Sequence, residues 1–403
     1  MTANGIHPLR VVVVGGGITG LLLAQGLQKV LSSNGYQVRA YERDAHLNQR
    51  DRDWTMSIHW SLPSLRRILP EDILADIHLA YTDQSRSYDN DQPPIPFYNG
   101  ITGQVLHRVP APNLRRLSRA RFRELCARGL DVRLGKKLVG MSFDEKDDGP
   151  VTLRFEGDEE PVEADLVIGA DGTNSKVRRL LIGEEDGVAT ASEWCMYNGV
   201  VCYGDAEKAR FVREPHPLCT LAFTEQGLAF CGIQNVPNPD APETWSFNIL
   251  RFAYHQLTTS LTGDVVIERL KSMSHTISEP FRSAIDWIPP TRSNFFATQL
   301  RYWVTKQWDN RCSRVTLAGD AAHAMLPARG QGMNALEDVG RFVALMDGVK
   351  QGAQPLPDAL GIYEKEVVER GRDVVVRSLE DCRANMMVAE VGKTRLVSKG
   401  LDA

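Results

Sequence analysis

A run of β-branched residues that ends in a spaced glycine triplet limits this chain more than any other feature. Arg10-Val-Val-Val-Val14 reads as a strand buried on both faces, and Gly15-x-Gly17-x-x-Gly20 follows it directly, before the apolar spacing turns helical. In that context Gly15 permits a tight turn, Gly17 lets the backbone approach a pyrophosphate, and Gly20 lets the helix pack closely on the strand. The helix N-terminus then aims its partial positive charge at the phosphates. A second half accompanies the triplet: an Asn34-Gly35 turn, a strand over 36–41, and Glu42, about 20 residues beyond the last glycine and placed to accept a bond from a ribose 2′-hydroxyl. An acid there disfavours a 2′-phosphate. The resident nucleotide is therefore predicted to carry the adenosine half of FAD or NAD, not of NADP.

At 403 residues the chain exceeds the usual span of one hydrophobic core, so two domains sharing an interface are expected. A formal charge of -4 with no long basic run argues against nucleic acid or an anionic membrane surface as the main partner. A small molecule fits better. The seven cysteines form no C-x-x-C pair and no metal-like spacing with histidine, so they read as small buried hydrophobes in a reducing compartment. The nine residues ahead of the first strand fit no signal peptide. No apolar run approaches the ~18 residues that span a bilayer, and the expectation is a soluble, cytoplasmic protein.

Beyond Glu42, residues 43–53 are dense in charge. They read as a solvated loop, or as a place where Arg43, Arg50 or Arg52 meets a phosphate. The alternation over 54–60 predicts a strand. His59, inside it, reads first as a histidine bonded within a domain interface and second as a catalytic base. Prolines, asparagines and glycines over 82–113 mark turns and hairpin strands, and Ser118 opens a helix whose arginines reach toward the nucleotide from a second side. Short strands broken by turns over 131–164 suggest a small antiparallel meander. Two further strand ends follow. Leu166 to Ala170 delivers Asp171-Gly172, and a strand after Ser313 delivers Gly319-Asp320. Gly330-Gln-Gly332 then opens a helix with free N–H groups. Two nucleotide-facing helix ends imply a long, two-ended ligand. Between the two strand ends, 184–299 has the pattern of an antiparallel sheet packed on one face, and beyond Asp338 the chain reads as amphipathic helix.

With these motifs the chain resembles the FAD-dependent aromatic hydroxylases, the class A flavoprotein monooxygenases whose type members are para-hydroxybenzoate hydroxylase and salicylate hydroxylase. The resemblance runs nearly end to end. It implies an α/β fold: a Rossmann-type FAD-binding domain (1–80, 114–183 and 300–350), an inserted antiparallel-sheet substrate domain (81–113 and 184–299) and a C-terminal helical segment (351–403). By the resemblance Gly15, Gly17, Gly20 and Arg119 meet the FAD pyrophosphate, Glu42 meets the ribose, and Arg43 joins the cofactor site. Asp171-Gly172 resembles the family's DG motif, which serves both FAD and NAD(P)H. Gly319-Asp320 resembles the GD motif, with Asp320 at the ribityl chain, Pro327 beside the isoalloxazine, and Gly332, Met333 and Asn334 at its pyrimidine edge. One departure stands out: the family usually has one more residue between the positions of Asn334 and Asp338. Segment 54–60 and Pro327-Ala-Arg-Gly-Gln-Gly332 are most similar to fungal members, many of which modify aromatic, polyketide or alkaloid metabolites.

The implied activity is an FAD-dependent monooxygenase that takes electrons from NADPH or NADH and, through a flavin C4a-hydroperoxide, passes one oxygen of O2 to an aromatic or other hydrophobic small molecule. Secondary metabolism is the implied setting. Epoxidation, Baeyer–Villiger insertion and a flavin oxidase or reductase on the same fold stay open. No nucleophile, metal site or second glycine-rich unit for the reductant is legible in the sequence.

Overall fold

The computed structural model describes residues 9–31, 36–49, 53–59, 61–88, 92–144, 149–290, 294–327, 331–393 and 397. The Asn34-Gly35 turn, Arg50, Arg52, Trp60 and Gly330 lie outside the described residues.

Strand β1 (Arg10–Val14) is the centre of a five-stranded parallel sheet. The order is β18 (Val315–Leu317), β11 (Leu166–Gly169), β1, β2 (Gln37–Tyr41) and β7 (Val132–Arg133). A parallel strand needs cover on both faces, and the unbroken β-branched run supplies it: Val11 to Val14 are all buried. The first helix, Ile18–Leu31, covers β1 and buries Leu21, Leu22, Leu23 and Leu27 in the same core. Strands β8 (Leu138–Ser142), β9 (Val151–Phe155) and β10 (Val162–Ala164) form the small antiparallel meander. Strands β3 (Thr55–Ile58) and β6 (Arg115–Ser118) pair as a two-stranded antiparallel ribbon.

A second core lies around an eight-stranded sheet. Its order is β16 (Leu261–Thr262), β17 (Phe296–Tyr302), β12 (Thr190–Cys202), β15 (Ser246–Ala253), β14 (Gly227–Asn235), β13 (Cys219–Thr224), β4 (Gln92–Asn99) and β5 (Val105–Ala111). The pairs are antiparallel except β4 with β13. No tight turn joins those two strands, since the β4–β5 hairpin arrives from the chain between β3 and β6, so nothing forces an antiparallel pair there. Helices Asp264–Ser274 and Phe281–Asp286 cover the outer face and bury Val266, Leu270, Phe281 and Ile285. The β3–β6 ribbon meets the inner face. There Thr55 Oγ1 donates to Asn248 Oδ1 at 3.3 Å, and Gln234 Nε2 donates to Asp53 Oδ2 at 2.5 Å.

The excursion that carries β12 to β17 leaves and returns at one place, because Thr190 of β12 pairs with Tyr302 of β17. Two helices close the chain. Gln331–Lys350 packs in the parallel-sheet core, and Leu356–Met386 runs from that core to the second, where Met387 bridges to Thr224. Among the described residues no helix is long and apolar enough to cross a membrane.

Candidate functional site

The turn after β1 divides its glycines by purpose. Gly15 has a φ of 114°, and a Cβ built on it would lie 2.4 Å from the Ala170 carbonyl oxygen. A Cβ on Gly20 would lie 1.8 Å from the Gly15 oxygen. These two are needed by the protein itself. Gly17 has nothing within 4 Å, so its bare Cα faces open space. That space is a cleft of about 590 Å³, within the range of small-molecule sites, at the carboxyl ends of β1, β2 and β11. Gly15, Gly17, Glu42, Arg43, Arg119, Asp171 and Gly172 all line it.

Glu42 directly follows β2 and is buried. Its Oε2 accepts from the Gly16 N–H at 2.7 Å and pairs with Arg123 Nη2 at 3.1 Å, while Oε1 accepts from the Asp44 N–H at 2.9 Å. A carboxylate has about four acceptor positions, so Glu42 keeps capacity for a hydroxyl. Arg123 also donates from Nε to the Gly16 carbonyl at 2.6 Å and from Nη1 to the Leu47 carbonyl. This arginine was not singled out in the sequence, although it lies four residues past Arg119 and so on the same helix face. Arg123→Met strands a buried carboxylate. It is expected to lower stability by about 3 kcal/mol and to reduce FAD retention, read by thermal midpoint and by the absorbance of the purified protein.

Arg119 stacks over the Trp54 ring at 4.6 Å, which steadies the guanidinium at the cleft wall. Arg43 sits exposed at the rim. Asp171 uses its carboxylate locally: Oδ2 accepts from the N–H groups of Lys176 at 2.6 Å and Val177 at 3.1 Å, and Oδ1 takes the Ser175 hydroxyl. It therefore caps the helix Lys176–Ile182 while its turn faces the cleft. Desolvation raises its pKa above the ordinary carboxylate value, and the hydrogen bonds oppose that shift without cancelling it.

The Gly319-Asp320 turn meets the Asp171-Gly172 turn, with Thr173 Oγ1 donating to Asp320 Oδ2 at 3.3 Å. Arg178, fully buried, fastens both. It donates to the carbonyls of Thr173 (2.6 Å), Ala321 (2.9 Å), Asp320 (3.3 Å) and Gly187 (2.8 Å), and lies 4.6 Å over the Trp303 ring. Burial pulls its pKa down to about 10. Behind the second turn, Asp338 Oδ2 accepts from the Gly319 N–H and from His323 Nε2, each at 2.7 Å, and Arg370 closes the network on Oδ1. Sequence reasoning passed over Arg178, His323 and Arg370.

Several expected contacts sit elsewhere than at an open wall. Asn334 is 6 % exposed and its Oδ1 accepts from Arg370 at 3.4 Å, so its side chain faces the buried network. Gly332 is exposed at the first turn of Gln331–Lys350, with Met56 Cε 3.7 Å from where its Cβ would be. Pro327 is exposed, and the Met333 side chain lies outside the described residues. His59 is buried at the end of β3, as an interior histidine would be.

Residues 8–378 match the family described as FAD binding domain. The FAD-dependent monooxygenase phnB of Penicillium herquei is 38% identical over 385 residues, covering 94% of this chain and 91% of that protein. The FAD-dependent monooxygenase cctM of Talaromyces islandicus is 32% identical over 379 residues, covering 93% and 92%. Among solved structures, 2,6-dihydroxypyridine-3-hydroxylase from Arthrobacter nicotinovorans shares the fold with a TM-score of 0.70 at 21% identity, over 97% of this chain and 93% of that one. The chain belongs to the FAD-binding domain family, beside the fungal FAD-dependent monooxygenases that it matches from end to end.

Proposed function

We propose that this protein is an FAD-dependent monooxygenase that uses NADPH or NADH and O2 to hydroxylate an aromatic or other hydrophobic small molecule of fungal-type secondary metabolism. The observation that carries the reading is the line of turns at adjoining strand ends. Gly17 and Gly172 open onto the cleft with nothing within 4 Å of either missing side chain, and the Asp171-Gly172 turn is joined through Thr173 to Asp320. Such a line suits a ligand with a nucleotide at one end and a reactive ring at the other.

The residues fit FAD. Gly17 would admit the pyrophosphate to the turn that Gly15 and Gly20 shape, Glu42 would accept from the ribose, and Arg119, with Arg43 at the rim, would balance phosphate charge. Asp171-Gly172 and Asp320 would follow the ribityl chain, with Pro327, Gly332, Met333 and Asn334 at the ring end. When bound, the flavin supplies hydride acceptance and oxygen activation. The chain supplies the surroundings. The first N–H groups of helix Gln331–Lys350 would offer partial positive charge to the pyrimidine end of the ring. Asn334 supports that end from behind, through Arg370, and the eight-stranded sheet with the β3–β6 ribbon keeps bulk water from the reacting oxygen. All seven cysteines are free, in keeping with a reducing, cytoplasmic setting.

The test is isotopic. With NADPH or NADH, 18O2 and a panel of hydroxylated naphthalenes, one labelled oxygen is expected in a product, and oxidation of the reductant should quicken with the accepted aromatic. Oxidation that yields hydrogen peroxide alone with every panel member would favour an oxidase or reductase.

A further inference from the structure

The Gly319-Asp320 turn and the first turn of Gln331–Lys350 are both held from behind by Arg370, which belongs to neither and comes from the helix Leu356–Met386. Its Nη2 pairs with Asp338 Oδ1, and Asp338 Oδ2 in turn accepts from the Gly319 N–H at 2.7 Å, so the ion pair ends on the first of those turns. Its Nη1 donates to Asn334 Oδ1 at 3.4 Å, in the second. Its Nε donates to Glu366 Oε1 at 2.7 Å, one turn back on its own helix, and Glu366 also pairs with Arg341 of Gln331–Lys350 at 3.5 Å. A planar fork with each nitrogen committed to a different partner has little freedom to rotate, and it holds Asn334 and Gly319 at one spacing.

The cluster also fixes a charge. Asp338 is fully buried, and the Glu366 and Arg370 side chains are 26 % and 19 % exposed. At that depth salt screens weakly, so the guanidinium offsets two carboxylates that would otherwise stand uncompensated behind the turn. Asn334 is turned back onto the guanidinium, and thereby passes the position of Arg370 to the helix start.

We propose that Arg370 is a positioning residue for the cofactor: it sets the Asn334 turn against the Gly319-Asp320 turn and, by offsetting Asp338 and Glu366, favours the reduced, anionic form of the flavin. The proposal rests on the monooxygenase reading, which puts the pyrimidine end of FAD at the start of Gln331–Lys350. The sign follows from charge. A hydride brings two electrons and one proton, so a flavin that accepts it gains one negative charge, and charge near the ring nitrogens tunes that gain. Loss of Arg370 leaves two carboxylates behind the turn and disfavours the reduced form. Neutralising Glu366 does the opposite.

The two-electron midpoint potential of FAD in the full-length, FAD-loaded protein tests this, measured against a reference dye during slow anaerobic reduction. Arg370→Gln should lower the preference for reduced over oxidised FAD about tenfold, a shift of about 30 mV to more negative values. Glu366→Gln should move the potential the other way. Arg370→Lys, which keeps the charge and loses the fork, should stay nearer the wild-type potential while holding FAD several-fold less tightly, read by flavin fluorescence. A purely structural role would weaken FAD binding without shifts of opposite sign. Equal potentials in wild type, Arg370→Gln and Glu366→Gln, or shifts in the same direction, would overturn the proposal. If Arg370→Gln does not fold, Glu366→Gln decides alone, and the absence of a rise overturns it. FAD content keeps the two readings apart: a wild type that takes up no FAD defeats the monooxygenase reading itself, whereas one that holds FAD with unmoved potentials defeats only the role of Arg370.

Discussion

Gly20→Ala is expected to yield a protein that neither holds FAD nor keeps its stability, whereas Gly17→Ala should lose the cofactor and stay folded. The Gly20 Cβ position lies 1.8 Å from a backbone oxygen of the preceding turn, which no side-chain rotation relieves. The helix must move off β1, at a cost of about 3 kcal/mol or more, since overpacking that shifts backbone falls at the upper end of its range. Gly15→Ala should behave in the same way, because its φ of 114° adds strain to a 2.4 Å approach to the Ala170 carbonyl. Gly17 differs in kind, for a methyl group there meets no protein atom. The cofactor-free variant should melt within about 1 kcal/mol of wild type, or slightly above it, as alanine restricts the unfolded chain. Flavin absorbance of the purified variants and thermal melts of their FAD-free forms read the two effects separately. Full FAD retention by Gly17→Ala would remove that residue from the cofactor site.

Asp338→Ala should be the most damaging change away from the cleft. Asp338 is fully buried and answers two cationic side chains as well as the Gly319 N–H. Removing it leaves His323 and Arg370 facing each other, and breaking such a group costs about 3–5 kcal/mol. The pH dependence has a definite sign. Burial lowers the His323 pKa, but the charge and hydrogen bond of Asp338 raise it further, so the net shift is upward. Burial raises the Asp338 pKa, while His323 and Arg370 pull it down to a net value below the ordinary one. The His323 contribution is therefore complete below about pH 6.5 and fades as pH climbs through the raised folded value. The Asp338 contribution is complete above about pH 4 and fades as pH falls through the depressed folded value. Thermal midpoints of wild type and Asp338→Asn should differ most between those limits, converge as pH falls through the depressed Asp338 value, and narrow without closing at alkaline pH, where the His323 share is lost while the Arg370 pair persists. A gap that stays constant from acid to alkali would show that the pair carries no charge coupling.

What could be read from the linear chain was whatever is local. A β-branched run, a glycine triplet and an acid about one unit further on are set by neighbours in sequence, and so were legible. Asp171 was noticed as a ligand-facing acid, although Ser175 and the run after it already spelled a helix start. Arg178 was invisible as a fastener because its Ala321 acceptor lies 143 positions away, and Arg370 because Asp338 lies 32 positions back on another helix. Asn334 turns to Arg370 for the same reason.

The seam where Thr190 meets Tyr302 has a consequence for how such a chain diversifies. The chain from β12 to β17 leaves and returns through two neighbouring strand ends, about 5 Å apart, and is held besides by β4, by the β3–β6 ribbon and by Met387. A substitute excursion has to keep that spacing and those few contacts, while the turns on the other side are fastened among themselves by Arg178 and Asp338. On the proposed reading, preference for one molecule over another would be rewritten by changing the excursion, while the machinery for handling electrons would be inherited intact.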